Sequence, residues 1–210
     1  MSEYLEKLKS NIPEGESGDW RVGRFVVREE DKFGQTISFI KSGRYVPQGE
    51  YTALYRGRTT VMSDTPDELA DIYQPINLAS GVCLVNGLGL GCVAVGMLEK
   101  ESVKKVIVIE KSEDVINLVG KFLEEKYGDR IEIRMADALT YKPPKGEYYN
   151  VVWHDIWDYI CADNWKDMNK LHRKYGARCG WQGSWVRDRV KALVDRERRN
   201  QRFYGSYERW

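Results

Sequence analysis

The ten residues 82–91, VCLVNGLGLG, constrain this chain more than any other stretch. An apolar run, 82–85, ends in glycines at alternate positions, Gly87, Gly89 and Gly91. A helical pattern follows, and a second apolar run at 106–109 closes on Glu110. A strand, a glycine-rich turn, a helix and an acid-capped strand make a nucleoside-binding unit. Glycine opens backbone angles closed to other residues and lets a ligand approach the main chain. An acid about 20 residues past the turn can accept hydrogen bonds from both ribose hydroxyls.

Two rival glycine-rich sites fit less well. The dinucleotide fingerprint wants glycine three residues after its second glycine, where this chain has Cys92. A phosphate-binding P-loop requires Gly-Lys-Ser/Thr after the turn, and none follows.

The β/α alternation continues past this unit. Strands are predicted at 82–86, 105–110, 131–135 and 149–155, with helices at about 90–100, from Ser112 on, and at about 163–175. Ser112 suits a helix cap, with Glu113 and Asp114 in the first turn, and Gly128 suits the helix end. The segment 177–186 reads as a fifth strand, and a last helix covers about 186–200. Upstream the pattern differs. A short helix is predicted at 3–10. Period-two runs at 20–29, 36–40 and 51–61, between turn residues, predict antiparallel strands and hairpins over about 20–62. Thr65-Pro66-Asp67-Glu68 predicts a helix start, and Pro75 its end near Tyr73. The chain therefore divides into an N-terminal helix and hairpin region, 1–62, and a cofactor-binding domain, 63–210.

Composition excludes a general polyelectrolyte. With 33 basic and 32 acidic residues the net charge is +1, which gives no global pull toward nucleic acid or membrane. Eight Arg or Lys nevertheless fall between 187 and 209, with Arg178 just upstream, interleaved with Asp188, Asp195, Glu197 and Glu208. A solvated helix face with opposite charges at helical spacing is the favoured reading, and a nucleic-acid contact is the alternative. No run approaches the ~20 apolar residues of a membrane helix. The four cysteines form no CxxC pair, which predicts reduced thiols and a cytoplasmic location. Two isolated histidines and scattered cysteines make no metal-ligand set.

Four ordered motifs make the chain, over roughly 60–160, resemble the class I S-adenosylmethionine-dependent methyltransferases, closest to their spermidine-synthase-like branch. They are NGLGLG, IVIEKS with Glu110, Ala136-Asp137-Ala138, and VVWHDIWD with Asp155. The resemblance implies a doubly wound Rossmann-like parallel sheet, here cut short after about five strands, and S-adenosylmethionine as cofactor. It implies cofactor contacts from Asn86, Gly87, Leu88, Gly89, Gly91, Glu110 and Lys111. It also implies that Asp137 accepts from the adenine amino group, that the Ala138 amide donates to the ring, and that Asp155 faces the sulfonium or the acceptor. Asp155 and Asp158 are the candidates for catalysis. Val85, standing where many methyltransferases carry an acid, favours the spermidine-synthase-like branch. Leu88 and Leu90 inside the turn, and the missing serine in Asp155-Ile156-Trp157-Asp158, depart from it.

The resemblance therefore implies a methyltransferase of unknown acceptor. Aminopropyl transfer to a polyamine and a non-catalytic, regulatory cofactor-binding protein are the alternatives. His154 should point away from Asp155, into a helix layer, because strand neighbours alternate, and His172 should be exposed. Trp153, Trp157, Trp165, Trp181 and Trp185 read first as packing residues and second as an aromatic wall for a cation or a flat ring. A sheet ending at its fifth strand leaves an edge, which predicts a homodimer or a covering hairpin.

Overall fold

The computed structural model describes residues 7–9, 11–31 and 45–204, with side chains to 201. Most of the helix expected at 3–10, the run 36–40 and Arg209 lie outside the described residues.

Two sheets form the chain. The first is antiparallel, in the order β1 (Gly15–Ser17), β2 (Trp20–Val27), β3 (Gly49–Arg56) and β4 (Thr59–Ser63). The run 51–61 is not one strand. It folds back at Gly57, whose φ of +56° glycine adopts freely, and divides into β3 and β4. The expected helix start at Pro66 holds, and α1 spans Pro66–Asp71. Pro75 does not end it. The chain restarts as α2, Tyr73–Leu78, with Pro75 in the first turn, where a missing N–H costs no helix bond.

The second sheet holds five parallel strands. They are β5 (Gly81–Asn86), β6 (Val103–Glu110), β7 (Ile131–Met135), β8 (Tyr149–His154) and β9 (Cys179–Ser184), in the order β7-β6-β5-β8-β9. The expected fifth strand is thus a full member, paired with β8 from Tyr149↔Cys179 to His154↔Ser184. Helix α3 (Cys92–Leu98) follows the glycine turn. Helix α4 runs over 113–127, with a π-helical stretch at Ile116–Gly120. The Ser112 hydroxyl caps it by accepting from the Val115 amide, as the sequence predicts. Helices α5 (Asn164–Tyr175) and α6 (Arg187–Tyr204) complete the fold.

Strand alternation divides the core in two. Cys83, Val85, Val106, Val108, Val151 and Trp153 pack on the α1–α4 side. Leu84, Ile107, Ile109 and Val152 pack against Leu171 and Tyr175 of α5. Helices therefore cover both faces of a doubly wound sheet. Among the described residues no helix is long and apolar enough to cross a membrane.

Candidate active site

A cavity of about 270 Å³ opens at the carboxyl ends of the parallel strands. It lies where the chain order reverses between β5 and β8, the crevice in which open α/β sheets take ligands. The small sheet reaches the same cavity from the other side, through Trp20 of β2, Leu54 and Arg56 of β3, and Met62 of β4.

The glycine turn is held by the protein itself. Gly87 has φ +96°, and a Cβ there would stand 1.9 Å from the Asp155 carbonyl oxygen. Gly89 has φ +53°, and its Cβ would stand 2.6 Å from the Met62 sulfur. The Leu90 amide donates to that sulfur at 3.4 Å. Neighbouring protein therefore already demands close approach at both glycines. Gly87, Leu88 and Gly89 line the cavity. Gly91 does not. It caps α3 and packs against Leu123 of α4.

Glu110 ends β6 beside this turn and is 8% exposed. One carboxylate oxygen accepts from the Leu88 amide at 2.8 Å. The other accepts from the Lys111 and Ser112 amides, both at 2.8 Å. An ionised carboxylate offers about four lone-pair sites, so three are engaged, and the one left is on the Leu88 side. Lys111 also lines the cavity.

Across the crevice Asp137 turns the chain after β7, its carboxylate accepting from the Leu139 amide at 2.7 Å. Lys174 fixes this loop from beneath, donating to the carbonyls of Ala138, Leu139 and Tyr141 at 2.6, 3.1 and 2.9 Å. Burial pushes the Lys174 ammonium below its ordinary pKa. Asp137 and the buried Ala138 both face the cavity.

Asp155 lies one residue past β8 and lines the cavity, its amide donating to the Asn86 carbonyl at 2.8 Å. Asp158 lines it too, but it is paired with Arg56 of β3 at 2.5 Å. Arg56 also lies over the Trp20 ring, 5.4 Å from its centroid. Arg56, Trp20 and Met62 belong to the antiparallel sheet, and sequence reasoning missed them. They are joined to the motifs only through contacts between segments far apart in the chain, which no local pattern announces. Glu68 and Asp167 on the cavity wall were missed as well. The wall thus carries Glu68, Glu110, Asp137, Asp155, Asp158 and Asp167 against Arg56 and Lys111, a field that suits a cation.

Asn86 lies on the wrong side of β5 to touch the cavity. It is fully buried on the α5 face, its side-chain amide donating to His154 Nδ1 at 2.8 Å. His154 Nε2 then donates to Gln182 Oε1 at 3.3 Å. The Nδ1 contact requires a neutral ring, and burial pushes His154 down to about 3. His154 thus points into the helix layer, as the strand alternation predicts, and is no base for the cavity. His172 is half-buried rather than exposed. It bonds the Ser184 hydroxyl at 2.8 Å and is pushed down to about 4, chiefly by burial. Trp153 and Trp181 stack in the core with ring centroids 6.4 Å apart. Trp157 and Trp185 line the cavity, and Trp185 donates to Asp71 at 3.0 Å. Trp165 lies under Arg187, away from the cavity. Among the described residues no group of three or more His, Cys, Asp or Glu could hold a metal ion.

No family model matches this chain, and no curated protein matches it. Solved structures do show similarity. A dimethyladenosine transferase from Plasmodium falciparum is 27% identical over 54% of this chain and 37% of that one, with TM-score 0.41. The spermidine synthase of Thermotoga maritima is 19% identical over 76% and 52%, with TM-score 0.42. The N-terminal domain of EvdMO1 with SAH bound is 18% identical over 51% and 44%, with TM-score 0.39. The chain spans between 37% and 52% of the length of these three structures.

Proposed function

We propose that the cavity binds S-adenosylmethionine and that the chain transfers a group from it, methyl transfer being the leading reaction. One observation carries this reading. Gly87, Leu88, Gly89, Glu110, Asp137, Ala138 and Asp155, from four separate segments, wall a single crevice.

The residues fit the adenosine part of such a cofactor. Glu110 keeps one free acceptor site toward the turn, enough for one ribose hydroxyl. A second hydroxyl would take the place of one of the amides that Glu110 now holds. Asp137 and Ala138 would bracket the adenine. The cavity, about 270 Å³, is just under the ~300–1,000 Å³ usual for ligand pockets. A whole cofactor therefore needs the flexible Met62 side chain to shift, and Met is well suited to that.

When bound, the cofactor would supply an electrophilic carbon on a cationic sulfur. The chain's own part is placement. Holding an acceptor in line with that carbon is worth most of the rate gain. Asp155 would orient the acceptor or accept its proton, and the surrounding carboxylates would favour the cationic sulfur. Asp158 is already engaged by Arg56. The six wall carboxylates also favour a second reading, aminopropyl transfer from the decarboxylated cofactor to a polyamine.

Isothermal titration with S-adenosylmethionine and with its decarboxylated form tests both readings. Preference for the first, with turnover to S-adenosylhomocysteine, supports methyl transfer. Preference for the second, with release of methylthioadenosine, supports aminopropyl transfer. Binding without turnover in the presence of candidate acceptors points to a regulatory binder, and no binding of either form sinks the proposal.

A further inference from the structure

Helix α6 carries a second feature, separate from the cavity. It holds seven Arg or Lys against three Asp or Glu over eighteen residues. The sequence suggested that these charges offset one another along the helix. Among the described residues they do not pair. No carboxylate lies within 4 Å of the charged nitrogens of Arg189, Lys191, Arg196, Arg198 or Arg199. Asp188, Asp195 and Glu197 on the same helix still leave a net excess of four positive charges along it.

The helix is also aimed unusually. It follows Val186, a β-branched residue with φ +44°, a strained angle for such a side chain. Trp185, one residue earlier, lines the cavity. Val190 is buried, and Val194, Glu197, Arg198 and Gln201 border a shallow groove shared with 162–166 at the start of α5. The helix, ~27 Å long at 1.5 Å per residue, thus climbs past the α5 N-terminus beside the cavity mouth. Arg189, Arg196 and Arg199 fall together on its outer edge by helical spacing, and all three are exposed.

We infer that this edge of α6 docks the phosphate backbone of a single-stranded nucleic acid. Three unpaired guanidiniums in a row suit phosphates, which arginine binds in bidentate fashion. Tyr159, 69% exposed on the loop between the cavity and α5, offers a ring on which a base can stack. A lipid surface fits less well. Membrane-surface helices need an apolar face to insert, and the apolar residues Val190 and Val194 are turned toward α5. This inference does not rest on the transferase reading, and its test uses no cofactor.

Fluorescence anisotropy of the whole chain with labelled oligo(U) and oligo(dT) of about 20 nucleotides, at about 50 and 200 mM salt, decides it. The triple variant Arg189→Gln/Arg196→Gln/Arg199→Gln is the probe. Lys121→Gln/Lys126→Gln on α4 is the control, and circular dichroism monitors folding of both. Each phosphate contact contributes about 0.7 to the log–log salt slope for single strands. The triple variant should therefore lose about 2 from the slope and bind at least about tenfold more weakly at the lower salt. The control should bind as the wild type. The inference is overturned by no wild-type binding at the lower salt, by an equal loss in the control, or by an unchanged triple variant. It is also overturned by tighter binding to a duplex of the same length, or by equal binding to phosphatidylserine vesicles.

Discussion

Glu110→Gln separates the strap that this carboxylate makes on the glycine turn from the ribose contact proposed for it. The side chain accepts three amide hydrogen bonds, all at 2.8 Å, from Leu88, Lys111 and Ser112. Glutamine keeps one acceptor oxygen. With that oxygen turned to Lys111 and Ser112, its amino group faces the Leu88 N–H, donor against donor. One hydrogen bond to a charged acceptor is lost, at a cost of about 1.5–3 kcal/mol. For a domain of this size that lowers the melting temperature by roughly 3–12 °C. A ribose hydroxyl bound on the same oxygen would lose a similar amount, so Kd for S-adenosylmethionine should rise about 10- to 150-fold. Thermal melting without ligand reads the first effect, and isothermal titration well below the melting temperature reads the second. A lowered melting temperature with unchanged Kd would refute the ribose role and leave Glu110 as a strap on the glycine turn.

Two further outcomes follow from the geometry. His154, held down to about 3 by burial, stays neutral in the fold, whereas the unfolded chain protonates near 6.5. Stability is unaffected above that value and falls as pH drops from 6.5 toward 3, by about 1.4 kcal/mol per pH unit from this residue. Urea denaturation across that range should show the slope, and His154→Gln should flatten it; identical slopes would exclude His154 as the source. His172 acts in the same sense down to about 4. Gly87→Ala forces a methyl against the Asp155 carbonyl oxygen, 1.9 Å away, at φ +96°. We expect a loss of about 3–5 kcal/mol, read by the same denaturation, and a wild-type midpoint would show that the turn yields.

The parallel half of the fold was legible because its signals are local. Apolar runs, the glycine turn, the Ser112 cap and Gly128 each sit within a few residues of what they specify. β9 was faint because CGWQGS has little strand propensity of its own, and pairing with β8 makes it a strand. β1 is the same case, Gly-Glu-Ser held by β2 through Gly15↔Val22. Pro75 misled because a proline that ends one helix can equally open the next. Of the residues that line the cavity, those in the motifs were singled out in the sequence and those they pair with were not. Arg56 meets Asp158 across 102 residues, and Trp185 meets Asp71 across 114. Asn86 was misassigned because it adjoins the glycine turn in sequence, while the alternation of β5 turns it to the other face.

The glycine turn itself takes on a different meaning. Its spacing suggested backbone left bare for a ligand. In the fold, Gly87 makes room for the Asp155 main chain and Gly89 for the Met62 sulfur. The Leu90 amide, a donor that such a turn would offer to a cofactor, is engaged by that sulfur. An N–H···S bond is weaker than one to oxygen, so a carboxylate or hydroxyl arriving there would win the amide, provided β4 lets the Met62 side chain withdraw. A residue of the antiparallel sheet therefore covers the glycine turn of the parallel one. The Arg56–Asp158 pair ties the same two sheets together at the cavity wall. The small sheet thus helps wall the crevice, and on the proposed reading what enters would depend on how far those two contacts give way.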